Sequence, residues 1–175
     1  MDKKLLILGA GGHGQVVYEI ATDCGYQKID YLDDNSNLAI GKIGDMARFK
    51  ETYGELIVGI GNNRVRKELI QEASELGFKI ATLVHPTAYV SRSATIEEGV
   101  VIEPKAIVNA HTTIGLGTII SVGSIVDHDV VVGECCHVNS GAIVKAGAHI
   151  SSYQKLEAGE VVLGYESAVV NKTKE

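Results

Sequence analysis

The tripeptide Asp127-His128-Asp129 carries the residue types best suited to acid–base chemistry in this sequence. An imidazole titrates near neutral pH, so His128 can accept a proton from an attacking nucleophile. A carboxylate beside the ring can fix its tautomer and stabilise its charged form. We therefore take His128 as the candidate catalytic base and Asp129 as its orienting partner. The alternative interpretation is a solvated polar turn.

A second motif is the glycine-rich segment of residues 9–14, Gly-Ala-Gly-Gly-His-Gly. It follows a short apolar run and precedes an amphipathic segment, so the pattern predicts a strand, a turn and a helix. Backbone N–H groups and the dipole at the start of a helix can hold a phosphate. Asp33 and Asp34 end the next apolar run, where an acidic residue can contact a ribose or a base. The segment therefore predicts a nucleotide site, with a purely structural turn as the alternative.

Alternating strands and helices are predicted around these motifs over residues 4–82. Short apolar runs predict strands at residues 5–8, 29–32, 56–60 and 78–83, and helical periodicity predicts helices at residues 15–24 and 64–76. Such a domain is roughly half of a dinucleotide-binding fold. A complete NAD site would need the other half, so a nucleotide-linked sugar is the better fit.

The sequence follows a six-residue period from Val84 onward. A fixed six-residue period predicts a parallel β-helix, in which each hexad forms one flat side of a prism and its aliphatic residue points inward. The chain is therefore expected to divide into domains at residues 1–83 and 84–175. All fourteen positions in the frame hold Val, Ile or Leu: Val84, Val90, Ile96, Ile102, Val108, Ile114, Ile120, Val126, Val132, Val138, Val144, Ile150, Leu156 and Val162.

The hexads resemble those of the hexapeptide-repeat acyltransferases, whose coils are left-handed with three hexads per turn. Together with Tyr31-Leu32-Asp33-Asp34, the segment Gly59-Ile60-Gly61-Asn62-Asn63-Arg64 and His85-Pro86, they make the chain similar to a bacterial subfamily of sugar acetyltransferases. That subfamily contains the bacillosamine-pathway N-acetyltransferases of UDP-4-amino sugars and the sialic acid O-acetyltransferases. The resemblance extends to about residue 165. It implies a half-Rossmann α/β domain followed by a left-handed parallel β-helix.

The resemblance also implies an activity. It implies an acetyl-CoA-dependent enzyme that acetylates the amino group of a UDP-linked 4-amino-4,6-dideoxy sugar, as a homotrimer with active sites between subunits. The catalytic base of the subfamily is a His followed by an acidic residue in this hexad, which matches His128 and Asp129, although the aligned member has Glu in the second place. The resemblance assigns substrate contacts to Gly11, Gly12, His13, Gly14, Asp33, Asp34, Gly61 and Asn62. It assigns the acetyl-CoA pocket to His137, Ala146, Gly147 and Gly164, with a backbone N–H near Ala146 as oxyanion donor.

Two alternatives remain open from the sequence, and a third is disfavoured. O-acetylation of a sialic acid uses the same base and the same thioester. A non-catalytic, nucleotide-sugar-binding trimer is the second alternative, because the hexad period lapses after Val162 into residues 167–172. A zinc site would need three convergent ligands, and His111, His128 and His137 lack the close pair of histidines found in β-helical carbonic anhydrases. We therefore expect no metal.

Composition excludes other classes of function. A net charge of −6 is unsuited to nucleic acid, which is bound through a basic surface. The sequence has no run of about 18 apolar residues, so no membrane insertion is expected. Its three cysteines are odd in number and form no metal-type pair, which favours a reducing cytoplasm.

Overall fold

The computed structural model describes residues 3–165; the segment of residues 167–172, in which the hexad period lapses, lies outside them. The first half is a three-layer α/β unit around a parallel sheet of order β3-β2-β1-β4-β5. Its elements are β1 (Lys4–Leu8), α1 (Gly12–Asp23), β2 (Lys28–Leu32), β3 (Ala39–Gly41), a 3-10 helix (Ile43–Phe49), α2 (Lys50–Tyr53), β4 (Glu55–Val58), α3 (Asn63–Glu75) and β5 (Lys79–Ile80).

The central strand β1 forms the core of this half. Its four apolar residues are completely buried, as expected for a strand with parallel neighbours on both sides and helices across its faces. Helix α1 buries Val17, Ile20 and Ala21 against the sheet, whereas the adjacent apolar residue Val16 is 39% exposed. Strand β3 and the 3-10 helix have no clear apolar period, and the sequence pattern did not predict them.

The second half is a parallel β-helix of two-residue strands. Partner residues are eighteen apart, since Ile107 pairs with Ile125 and Ile125 with Ile143. The strands are β6 (Leu83–Val84), β7 (Tyr89–Val90), β8 (Thr95–Ile96), β9 (Val101–Ile102), β10 (Ile107–Val108), β11 (Thr113–Ile114), β12 (Ile119–Ile120), β13 (Ile125–Val126), β14 (Val131–Val132), β15 (His137–Val138), β16 (Ile143–Val144), β17 (His149–Ile150) and β18 (Val161–Val162). The predicted fold class, an α/β unit followed by a β-helix, is confirmed.

The inward residues of the hexads fill the prism. From Ile102 to Leu156, every residue of the predicted frame is at most 5% exposed. The predicted strand at residues 78–83 was wrong as one element, because β5 pairs with β4 whereas β6 pairs with β9 of the β-helix. The chain therefore changes from one sheet to another between Ile80 and Leu83.

The three faces of the prism differ in what covers them. The face formed by β6, β9, β12 and β15 packs against the α/β half, where Leu83, Val101 and Ile119 are each 1% exposed. The face of β8, β11, β14 and β17 carries a mixture of polar and apolar side chains. The third face, formed by β7, β10, β13, β16 and β18, is apolar, and nothing within residues 3–165 covers it; we call it the uncovered apolar face. Within residues 3–165 no helix has the length and apolarity needed to cross a bilayer.

Candidate functional site

His128 lies at the corner where the chain leaves β13 and turns toward β14. Its Nδ1 lies 2.8 Å from Oδ2 of Asp129, and both side chains are nearly half exposed. Asp129 has a left-handed backbone conformation, with φ of +57°, which Asp tolerates better than most residues. The hydrogen bond to Asp129 raises the pKa of His128 above its usual value. The structure thus brings together the predicted base and its orienting partner.

The next coil leaves a backbone N–H free beside His128. In the two preceding coils, the backbone N–H groups at the same position of the coil are hydrogen-bonded. The N–H of Ala110 donates to Oδ1 of Asn109 at 2.8 Å, and the N–H of His128 donates to Oδ1 of Asp127 at 2.7 Å. One coil further, Lys145 takes the place of Asn109 and Asp127, and an ammonium group cannot accept a hydrogen bond from a backbone N–H. Among the described residues, the N–H of Ala146 consequently has no hydrogen-bond acceptor.

The free N–H opens onto a cavity of about 340 Å³ at this corner. The segment that follows β18 closes one side of it, because Gly164 packs directly on the backbone of Ala146, where a Cβ would lie 1.9 Å from the carbonyl oxygen. Gly147 lies beneath the ring of Tyr165, which a Cβ would meet at 2.1 Å. Three of the four predicted acetyl-CoA residues therefore lie at the corner of His128. The cavity is lined by Asp127, His128, Lys145, Ala146, Gly164 and Tyr165.

The glycine-rich turn contains glycines of two kinds. A Cβ on Gly11 or Gly12 would meet nothing within 4 Å, so both backbones face open space at the start of α1. Gly14 is different, because a Cβ there would lie 2.1 Å from the carbonyl oxygen of Gly9. Gly14 is therefore needed for helix packing, whereas Gly11 and Gly12 leave room for a ligand.

Asp33 organises the loop beside that turn. Its carboxylate accepts hydrogen bonds from the N–H groups of Ala10 at 2.8 Å, Asn35 at 2.8 Å and Ser36 at 2.9 Å, and these bonds lower its pKa. Asp34 accepts from the N–H of Ile43 at 3.2 Å. A cavity of about 460 Å³ lies between the turn and this loop, lined by Ala10, Gly11, Asp33, Asn35, Ser36 and Asn37.

Gly61 and Asn62 lie in a different cavity, between the loop after β4 and the last coils. Asn62 caps α3, since its Oδ1 accepts from the N–H groups of Arg64 and Val65 at 3.1 Å each. This cavity has a volume of about 510 Å³ and is lined by Gly61, Asn62, Asn63, Arg64, Tyr153 and Lys155. Of the predicted substrate residues, Gly11 and Asp33 thus line one cavity, and Gly61 and Asn62 line another.

His13 and His137 meet at the junction of the two halves, with ring centroids 6.3 Å apart. Nδ1 of His13 lies 3.6 Å from Oε1 of Glu103, and Nε2 of His137 lies 3.0 Å from Oγ of Ser121. The other ring nitrogens, Nε2 of His13 and Nδ1 of His137, are buried and have no partner among the described residues. Burial, followed by nearby positive charge that includes Arg66, lowers the pKa of each histidine to about 4. Both rings are therefore neutral at pH 7 and have a nitrogen to offer a ligand.

His137 does not approach His128 within one chain. It lies on the face that the α/β half covers, whereas His128 lies at the corner between the other two faces. His137, alone among the predicted acetyl-CoA residues, is thus on the side of the predicted nucleotide site. The two histidines therefore face different sides of the prism in the single chain.

The sequence did not single out Glu103, Ser121 or Arg66. Glu103 and Ser121 occupy the same corner position in successive coils, eighteen residues apart, which was a usable signal. Arg66 shares the buried face of α3 with Ile70 and Ala73. A charged residue in line with apolar residues at helical spacing was the sequence signal that could have identified Arg66. In the part of the chain that the structure describes, no group of three or more His, Cys, Asp or Glu side chains could hold a metal ion.

Comparison with known proteins bears on this arrangement. Residues 4–73 match the PglD N-terminal domain family. The acetyltransferase domain of PglB from Neisseria gonorrhoeae FA1090, solved in complex with acetyl coenzyme A, is 34% identical with a TM-score of 0.86, over 92% of this chain and 82% of that chain. The chain belongs to this family of bacterial sugar acetyltransferases. The resemblance predicted from the sequence is confirmed.

Two further relatives are associated with nucleotide-linked sugars. Perosamine N-acetyltransferase from Caulobacter crescentus, solved with one histidine replaced by asparagine and in complex with CoA and GDP-perosamine, is 29% identical with a TM-score of 0.83, over 92% of this chain and 89% of that chain. UDP-N-acetylbacillosamine N-acetyltransferase from Bacillus subtilis (strain 168) is 33% identical over 110 residues, 57% of this chain. The match spans about half of that curated relative, 51% of its length.

Proposed function

We propose that this chain transfers an acetyl group from acetyl-CoA to the amino group of a UDP-linked 4-amino-4,6-dideoxy sugar. The observation that carries the proposal is the hydrogen-bonded pair of His128 and Asp129 beside the free N–H of Ala146. These are the two groups that acyl transfer to an amine requires, a proton acceptor and an oxyanion donor.

His128 would act as the general base. Acetyl-CoA supplies a thioester; amide formation releases its thiol, and the attacking amine must lose one proton. Since Nδ1 of His128 is engaged by Asp129, its Nε2 is left to take that proton. The charged ring that results is stabilised by the carboxylate of Asp129, which is also the main cause of its raised pKa.

The residues at this corner fit a thioester. The N–H of Ala146 is the donor that the resemblance assigned to the carbonyl oxygen, and the cavity in front of it lies open beside His128. One backbone N–H of this kind typically contributes on the order of 3 kcal/mol to stabilising an oxyanion. Gly147 and Gly164 would shape the same pocket, since neither position has room for a side chain.

A second subunit would complete the site. His128 and the predicted nucleotide cavities lie on different sides of one chain, so a substrate held by Gly11 and Gly12 could meet the base of a neighbouring copy. The uncovered apolar face adjoins the corner of His128 and offers a surface for that contact. Closed cyclic symmetry would satisfy identical faces in a homotrimer. The outward residues of this face are 36–58% exposed: Tyr89, Ile107, Ile125, Ile143 and Val161.

An amine is favoured over a hydroxyl as the acceptor. The curated relative and the perosamine enzyme are both named as N-acetyltransferases. Their names differ in the nucleotide, UDP for one and GDP for the other. We propose UDP, because the relative named for a UDP-sugar is 33% identical over its matched residues, whereas the perosamine enzyme, solved with GDP-perosamine, is 29% identical.

The test is turnover by His128→Ala with acetyl-CoA and a UDP-4-amino sugar, followed by release of free thiol. We expect kcat to fall by about 10²–10⁴-fold while both KM values change little. Asp129→Asn should cost less and should shift the ascending limb of the pH–rate profile to lower pH, because Asp129 raises the pKa of the base. His111→Ala, one coil below at the same corner, is the matched control. Near-normal turnover by folded His128→Ala would contradict the proposed role.

A further inference from the structure

The side chain of Arg66 is buried between α3 and the β-helix. The residue is only 1% exposed, yet its guanidinium has no carboxylate within ion-pair distance among residues 3–165. Desolvation of a charge usually costs several kcal/mol, and an apolar side chain of similar length would fill this space without that cost. Packing alone therefore does not explain the arginine.

The hydrogen bonds of Arg66 show what it holds together. On one side it contacts the loop that follows β4, and on the other it contacts turns of two successive coils. Its Nε donates to the carbonyl oxygen of Gly117 at 2.6 Å, one terminal nitrogen donates to the carbonyl of Ile60 at 2.9 Å, and the other donates to Oδ1 of Asn63 at 2.8 Å and to the carbonyls of Cys135 at 3.1 Å and Cys136 at 3.0 Å.

Both ends of this connection belong to the site. The loop contains Gly61 and Asn62, which line the cavity of about 510 Å³. The turn at Cys135 and Cys136 leads directly into His137 at the start of β15. A planar guanidinium with five donors can fix two backbone segments relative to each other in a way that an ammonium cannot.

Asn63 extends the same connection to the last coils. Its Nδ2 donates to the carbonyl oxygens of Tyr153 at 2.9 Å and Gln154 at 3.2 Å. Arg66 and Asn63 together thus attach the loop to the edge of the prism at several points. The loop is held as a rigid part of the β-helix rather than of the α/β half alone.

We propose that Arg66 is a positioning residue, which sets the substrate-binding loop of residues 59–63 at a fixed distance from His137. This inference rests on the proposed function, because the loop matters only if it holds the nucleotide-linked sugar. Misplacement of a substrate by about 1 Å can lower a rate by about 100-fold, so the rigidity of this connection has kinetic consequences.

The charge of Arg66 has a separate effect on the junction. It lowers the pKa of both His13 and His137, in addition to burial. The other charged groups that face these rings are Glu103, beside His13, and Lys155, which also lowers the pKa of His137. Loss of the guanidinium should therefore raise the pKa of both rings, which a purely mechanical support would not do.

The test compares Arg66→Met and Arg66→Lys with the unchanged chain. We expect Arg66→Met to weaken UDP binding in calorimetry by about tenfold or more, to raise KM for the UDP-sugar but not for acetyl-CoA, and to raise the pKa values of His13 and His137 measured by NMR. Arg66→Lys keeps a charge without the planar donors, so it should restore the pKa values but not UDP affinity.

Lys67→Met is the matched control. Lys67 also joins α3 to the β-helix, through Glu134, but it does not contact the loop. If Arg66→Met does not fold, Asn63→Ala tests the same connection and should weaken UDP binding in the same direction. Equal UDP affinity in the folded variants and the unchanged chain would overturn this inference alone. Absence of UDP binding by the unchanged chain would contradict the proposed function and the inference with it.

Discussion

Mild acid is expected to destabilise the junction between the two halves through His13 and His137. Both rings are neutral in the folded chain, since burial and neighbouring positive charge lower the pKa of each to about 4. In the unfolded chain the same side chains titrate near 6.5. Between these two values the unfolded state binds protons that the folded state does not. Stability that is fully present above pH 6.5 is therefore lost as the pH falls toward 4.

The size of the effect follows from His13, whose side chain is 16% exposed. The difference between a pKa near 6.5 and one of about 4 corresponds to about 3 kcal/mol once the pH is below both values, and to about 2 kcal/mol at pH 5. His137 acts in the same direction. Because the two rings lie 6.3 Å apart, their contributions are coupled rather than simply additive.

The assay is urea unfolding at pH 8 and pH 5, at one protein concentration, for the unchanged chain and for His13→Gln. Glutamine retains a polar group but does not titrate, so the variant should lose about 2 kcal/mol less between the two pH values. His149→Gln, which replaces an exposed histidine of β17, is the control and should behave as the unchanged chain does. If His13→Gln has the same pH dependence as the unchanged chain, the neutral, buried state of His13 is wrong.

Two further predictions concern ligand binding and assembly. Gly12→Val should abolish UDP binding, measured by calorimetry, without unfolding the chain, because a side chain at this position enters the open space at the start of α1. Unchanged UDP affinity in this variant would refute the phosphate site, as would binding of NAD in place of UDP. Ile125→Glu should convert a trimer into monomers in light scattering and abolish turnover, since it places a charge on the uncovered apolar face at a cost of several kcal/mol per subunit. Thr95→Glu, on the mixed face, should remain trimeric, and a monomeric unchanged chain would refute the assembly.

The β-helix could be predicted from the sequence because each hexad places one residue in the interior, with no dependence on distant parts of the chain. The frame fails only at its ends. Val84 is 36% exposed, since its strand β6 has a neighbour on one side only, while Ile102 in the next coil is completely buried. Burial within the repeat can thus be predicted from each hexad alone, whereas burial at its ends depends on which neighbouring strands are present.

The helices of the α/β half show the limit of periodicity. The helix predicted at residues 64–76 includes the apolar Val65, yet this residue is 37% exposed, while Arg66 is buried beside Ile70 and Ala73. Hydrophobicity could not predict a buried arginine, because its partners are carbonyl groups up to 70 positions away in the chain. The docking of the two halves, rather than the amphipathicity of the helix, determines which face is buried.

The contacts of the candidate site also differ in whether they could be predicted from local sequence. His128 and Asp129 are adjacent in sequence, so their pairing could be predicted from the tripeptide. The contact of His13 with Glu103 and His137 requires both halves in place, and no sequence pattern indicates how the two halves pack against each other. The free N–H of Ala146 is intermediate in how far the sequence could predict it. Comparing residues eighteen apart shows that Lys145 occupies the position that Asn109 and Asp127 hold in the two preceding coils.

The two histidine–carboxylate contacts of this chain show why only one of them suits a general base. His128 and Asp129 are partly exposed, with Nδ1 and Oδ2 2.8 Å apart, and this hydrogen bond raises the pKa of the ring, which makes it a stronger base. His13 and Glu103 lie 3.6 Å apart in a buried junction, where desolvation lowers the pKa of the histidine to about 4 and raises that of the carboxyl group. A ring of that kind remains neutral and can exchange hydrogen bonds with a substrate, but it holds a proton too weakly to act as the base. Burial therefore distinguishes the two roles that we propose for this residue type, proton transfer at the exposed corner and substrate contact at the junction.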